Sequence, residues 1–132
     1  MGIKRSDSLA THFLNVDLDI YSTRDLQPLV KAFGSKVIVL CVGRERGKYG
    51  AHLEISQRTT TADSTVRAFC RLIEGLPEAE RLLWNNATVR SVSIGIRAGK
   101  RPNPCDFPIR ARTIQALSEV AAQMVLTIYL SE

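Results

Sequence analysis

Cysteine is scarce in this chain, with three among 132 residues. Cys41, Cys70 and Cys105 form an odd, widely spaced set without a C-x-x-C pair, so no closed disulfide framework can be drawn. We read them as free thiols, as expected of a cytoplasmic protein. Histidine is scarcer still: only His12 and His52. There is no G-x-S-x-G elbow, no nucleophile–base pair is legible, and no catalytic residue is assigned. Long hydrophobic runs are missing too. Nothing approaches the roughly 18 apolar residues of a membrane span. The start, MGIKRSDSLA, lacks an apolar stretch after its charges and so gives no secretory signal. Gly2 and Ser6 fit a myristoylation pattern, but residues 1–11 read as an ordinary flexible arm. The Asn86–Thr88 sequon is one by letters only.

What is present describes one globular domain over residues 12–132. The chain is 45% hydrophobic and 23% charged, with a net charge of +5 and a pI near 9.4. That balance favours an anionic partner, either nucleic acid or an acidic protein face.

Periodicity outlines the elements. HFLNVDLDIY alternates, placing Leu14, Val16, Leu18 and Ile20 on one face and Asn15, Asp17 and Asp19 on the other. STRDLQPLVKAFG reads as a helix, with Ser22 and Asp25 as a capping pair, Pro28 delaying its start or distorting its first turn, and Gly34 ending it. KVIVLCV is a continuous β-branched run that reads as a central strand buried on both faces. AHLEIS alternates and completes a hairpin with it. TTTADSTVRAFCRLIEG is a second helix with Val66, Phe69, Cys70 and Ile73 inward. Pro77 opens a third, PEAERLLWNN, whose Trp84 packs in the core by default, with an interface anchor as the lesser reading. VRSVSIGIR is a strand with Val92, Ile94 and Ile96 inward. FPIRA reads as a short edge strand because Pro108 cannot donate to a ladder. A helix with Ile114, Leu117, Val120 and Ala121 inward follows, and MVLTIYL closes as a strand. The order is β-α-β-β-α-(α)-β, then β-α-β. The fold class is α+β, a ferredoxin-like β-α-β-β-α-β core with a C-terminal β-α-β extension, a mixed sheet with helices packed on it.

Residues 43 to 50, GRERGKYG, lie between two apolar runs and invite several readings. A phosphate loop needs G-x-x-x-x-G-K-[ST] before a helix. Here the glycine spacing is one short, Tyr49 replaces the hydroxyl residue and a strand follows. An RNA-recognition strand fits the element order, but Ala51 and Glu54 replace stacking aromatics, while Asp17 and Asp19 oppose phosphate. A zinc deaminase would need a thiolate where Pro108 stands. His52 is then a surface residue on its strand's polar side, and paired Asp17 and Asp19 form a solvated face. No metal or cofactor is assigned. The stretch reads as a hairpin turn displaying cations.

Arg44, Arg46 and Lys48 cluster there with Tyr49. Arg97, Lys100 and Arg101 form a second cluster, with Arg110 and Arg112 soon after. If the fold brings these loops to one end of the sheet, they make a partner-binding patch suited to carboxylate or phosphate.

FPIRARTIQALSEVAAQMVLTIYL, with Ile128 and Tyr129 near its end, resembles the close of many small bacterial α/β domains, including immunity proteins of toxin–immunity pairs. The resemblance implies a non-enzymatic, cytoplasmic protein-binding module that sequesters a toxin or other protein partner with an acidic face. Nucleic-acid binding through the same loops is the alternative. Nuclease inhibitors usually present acidic faces, which argues against a nuclease as the target of this basic chain. The oligomeric state is left open.

Overall fold

The computed structural model describes residues 10–101 and 103–130. Most of the expected arm, including its myristoylation pattern, lies outside the described residues. Of the arm's last residues, Thr11 is tied down: its hydroxyl accepts from the Gly99 N–H at 2.9 Å.

Among the described residues the order is β1 (His12–Ser22), α1 (Gln27–Phe33), a 3₁₀ turn (Gly34–Lys36), β2 (Val37–Glu45), β3 (Lys48–Ile55), α2 (Ala62–Glu74), α3 (Glu78–Asn85), β4 (Val89–Arg97), α4 (Ala111–Glu119) and β5 (Gln123–Tyr129). The strands form one sheet in the order β2-β3-β1-β4-β5. Each neighbouring pair is antiparallel except β4–β5, which is parallel. The α+β class and the mixed sheet agree with the sequence. None of the described helices is long and apolar enough to cross a membrane.

The core lies on one face of the sheet. Val16, Leu18, Ile20, Leu53, Val92 and Ile94 alternate inward there, against Leu29 and Phe33 of α1, Val66, Phe69 and Ile73 of α2, and Leu117 of α4. Trp84 is fully buried, and its Nε1–H donates to the Val120 carbonyl at 2.8 Å, joining α3 to the end of α4. The helix ends follow local chemistry. Pro28 lies in the first turn of α1, where its missing N–H leaves no bond unmade. Thr61 and Ser64 form a reciprocal cap on α2. The Ser22–Asp25 cap does not form: Ser22 ends β1, Leu26 is the N-cap, and Asp25 instead accepts from the Gln27 N–H at 3.0 Å.

Four expectations are corrected. KVIVLCV is an edge strand, with Ile38, Val39, Leu40 and Cys41 exposed and a bulge between Val39 and Cys41. FPIRA is not a strand: residues 107–110 are loop and Ala111 begins α4, so the extension has one strand fewer. Its Arg110 N–H donates to the Asp63 carboxylate at 2.9 Å, with no ladder partner. A register shift between Phe13 and Asn15 turns Leu14 out of the inward row. Helix α4 is rotated from its expected stripe: Thr113, Leu117 and Val120 are buried while Ile114 stays 54% exposed, and Ala121 has left the helix with φ 58°.

Candidate functional site

The hairpin stretch folds as the sequence suggests. Glu45 pairs with Lys48, so the turn is Arg46–Gly47, with φ of 51° and 81°. Two successive positive φ values match the twist of a two-residue hairpin turn, and Gly47 takes its value without Cβ strain. Arg44 stands across from Tyr49, its guanidinium 5.0 Å from the ring centroid.

The two basic loops do not meet. Tyr49 pairs with Ser22 at one end of β1, whereas Arg97 pairs with His12 at the other. Eleven residues of strand separate these ends by about 30 Å. Arg44, Arg46, Lys48 and Tyr49 therefore form one group, and Arg97, Lys100 and Arg101 another. The Arg97 guanidinium lies 5.7 Å from the Tyr129 ring centroid of β5. Cys105 of the same region is exposed, and its Sγ donates to the Thr11 carbonyl at 3.4 Å.

The helix-free face of the sheet holds a cluster that the sequence reading dispersed. Cross-strand pairing sets Asp19 opposite His52. The His52 Nδ1–H donates to Asp19 at 2.8 Å and the Nε2–H to Glu45 at 2.7 Å. Carboxylate oxygens only accept, so it is the protonated imidazole, donating from both ring nitrogens, that satisfies both contacts. Burial pulls its pKa down, but the hydrogen bonds and charges of Asp19 and Glu45 outweigh that and raise it above the usual 6.5. Ser93 donates to the second Asp19 oxygen at 2.8 Å. The Tyr21 ring stands edge-on to His52, with centroids 5.4 Å apart. Gly50 makes room for the Glu45 carboxylate, which a Cβ at position 50 would strike. Asn15 bridges Asp17 and Glu54 at 3.1 and 3.0 Å. Burial, then the charges of Asp19 and Glu54, push Asp17 up to about 6.

This arrangement is a clamp. In that protonated form both nitrogens are committed, and His52 has no lone pair to take a proton from a substrate. Among the described residues, no group of three or more His, Cys, Asp or Glu side chains is placed to hold a metal ion. The face is acidic although the chain as a whole is basic. The signal for the cluster was the alternation that put Asp19 and His52 on polar faces; their register was the missing piece.

The sheet edges are apolar. On β2, Leu40 is 52% exposed beside Ile38 and Val39; on β5, Leu126 is 58% exposed with Met124 and Ile128. β2 runs directly into the Arg44–Lys48 cations. Comparison of the chain with protein-family models, with curated proteins and with solved structures finds no match.

Proposed function

We propose that the chain is a non-enzymatic protein-binding module, immunity-protein-like, that sequesters a protein partner such as a bacterial toxin. The observation carrying this reading is the free edge of β2. Among the described residues it presents unpaired backbone groups flanked by Ile38, Val39 and Leu40, and it ends at Arg44, Arg46 and Lys48. Such an edge accepts an extended segment by strand addition, and the cations favour acidic residues at one end of that segment. Of the two basic loops expected to form one patch, the hairpin loop belongs to this surface; Arg97, Lys100 and Arg101 lie at the far end. The committed nitrogens of His52 support the non-enzymatic reading, and free Cys41, Cys70 and Cys105 support a reducing, cytoplasmic setting. A ferredoxin-like core belongs to the same proposal. Its support is the β2-β3-β1-β4 portion with antiparallel neighbours; the parallel fifth strand departs from the expected arrangement. Nucleic-acid binding has less support, since a strand laid across the open face would meet Asp17, Asp19, Glu45 and Glu54.

Titration calorimetry against the protein encoded by the neighbouring gene tests this. We expect tight binding that Leu40→Lys and Arg46→Glu each weaken about tenfold or more, a change of about 1.4 kcal/mol. Binding indifferent to both substitutions would remove β2 from the interface. Absence of binding, with steeply salt-dependent retention on heparin, would replace the reading with nucleic-acid binding.

A further inference from the structure

A cavity of about 530 Å³ opens at the end of the sheet opposite the β2–β3 turn. Its walls come from three places in the chain. Phe13 comes from the start of β1, Arg67 from α2, and Phe107, Arg110 and Arg112 from the continuous segment that leads from the loop after β4 into α4. That volume falls in the range of small-molecule sites.

The wall is built around Asp63. Its carboxylate is buried and accepts the Arg110 backbone N–H at 2.9 Å, which fastens the 106–112 segment over α2. Burial alone would raise its pKa, but that hydrogen bond and the nearby guanidinium charges hold it below the ordinary value. Asp63 thus spends its charge locally. Arg67 approaches it only to 3.8 Å, with a side chain just 19% exposed. Among the described residues, the Arg67 Nε is buried without a hydrogen-bond partner. Asp63 offsets part of the Arg67 charge at that distance, but a buried donor left without an acceptor is costly until a further acceptor meets it. Counting every charged lining residue, three arginines face two aspartates, Asp63 and Asp106. Two phenyl rings supply an apolar wall beside the guanidinium groups.

We propose that this cavity binds a small aromatic anion, its ring against Phe13 and Phe107 and its carboxylate or phosphate on Arg67, Arg110 and Arg112. Flat apolar bodies pack on phenyl rings, and planar guanidinium forks match both anions in two-point contact. The site is separate from the β2 edge, so it goes beyond the protein-binding reading and does not depend on it.

The test is a ¹⁵N–¹H titration of the full chain with phenyl phosphate and with phenylacetate; inorganic phosphate and phenol serve as half-probes. We expect saturable shifts at the amides of Arg67, Phe107 and Arg110, with Kd near or below about 1 mM for at least one aromatic anion. Each half-probe should bind about tenfold more weakly or worse. Whichever aromatic anion binds tighter assigns the phosphate or carboxylate preference. Arg67→Met should abolish the shifts. Arg112→Gln, at an exposed position that leaves Asp63 untouched, should weaken them while the spectrum stays folded, and Leu40→Lys should leave them unchanged. Absence of saturation by either anion at about 10 mM overturns the proposal. So does phenol binding as well as phenyl phosphate, or binding unaltered in Arg112→Gln.

Discussion

At the scale of single residues, the open face makes stability depend on pH. Asp17 titrates near 6 in the folded chain against 3.8 in the ordinary carboxyl, so the native state keeps a proton that the unfolded chain has released. Through this group stability falls as pH rises between those values, and the penalty is complete above about pH 6. His52 acts in the same direction: its raised pKa stabilises the fold fully below 6.5, and that is lost as pH climbs through the folded value. Asp63 acts oppositely, stabilising above 3.8 and losing that as pH falls. We expect Asp17→Asn to raise the unfolding free energy at neutral pH and to lose that advantage toward about pH 4, measured by urea denaturation across the range. An advantage independent of pH would refute the assignment. Arg46 takes a left-handed conformation that asparagine adopts more readily. Arg46→Asn should therefore stabilise the hairpin by roughly 0.5–1 kcal/mol in the same assay. The turn was legible from Gly47. The His52 clamp was not, because alternation assigns a residue to a face but does not name its neighbour across the ladder.

At the scale of elements, β2 shows how composition misleads. An unbroken β-branched run has the pattern of a strand covered on both faces, yet here it borders solvent. Intrinsic pattern reports what a strand could bury, and neighbours decide what it does bury. The exposure predicts tolerance. Leu40 lies at the bulge with its side chain half in water, so Leu40→Lys should change the unfolding free energy by no more than about 0.5 kcal/mol. A cation on an edge strand also discourages edge-to-edge pairing, so the variant should resist concentration-dependent association in sedimentation velocity better than the parent. Large destabilisation would mean that β2 is covered. Helix α2, by contrast, was readable almost to the residue. Its inward row repeats at helical spacing, so no distant partner was needed; the Thr61–Ser64 cap, equally local, was not read from the sequence. The rotation of α4 was hidden because Thr113 is polar, and burying it depends on what α2 places opposite.

At the scale of the whole molecule, one core joins the four described helices to one face of the sheet, and Trp84 ties its far corner. Its indole N–H satisfies the Val120 carbonyl where α4 ends. Trp84→Phe keeps an aromatic ring but orphans that buried carbonyl. We expect a loss of roughly 1–3 kcal/mol in unfolding free energy, read from chemical denaturation followed by circular dichroism. A neutral result would show the carbonyl to be hydrated. The sequence by itself determined the elements carried by short-range rules: the alternation of β1, β3 and β4, the apolar stripe of α2, the proline in the first turn of α1 and the glycine of the turn. Those depend on backbone sterics and on partners within four residues, so they are written locally. Only the tertiary structure decided which strand lies at an edge, that the two cationic loops occupy opposite ends, and that His52 sits between Asp19 and Glu45. Each of these follows from strand order and register, which arise when distant segments compete to cover a common core, and no local pattern records the outcome of that competition.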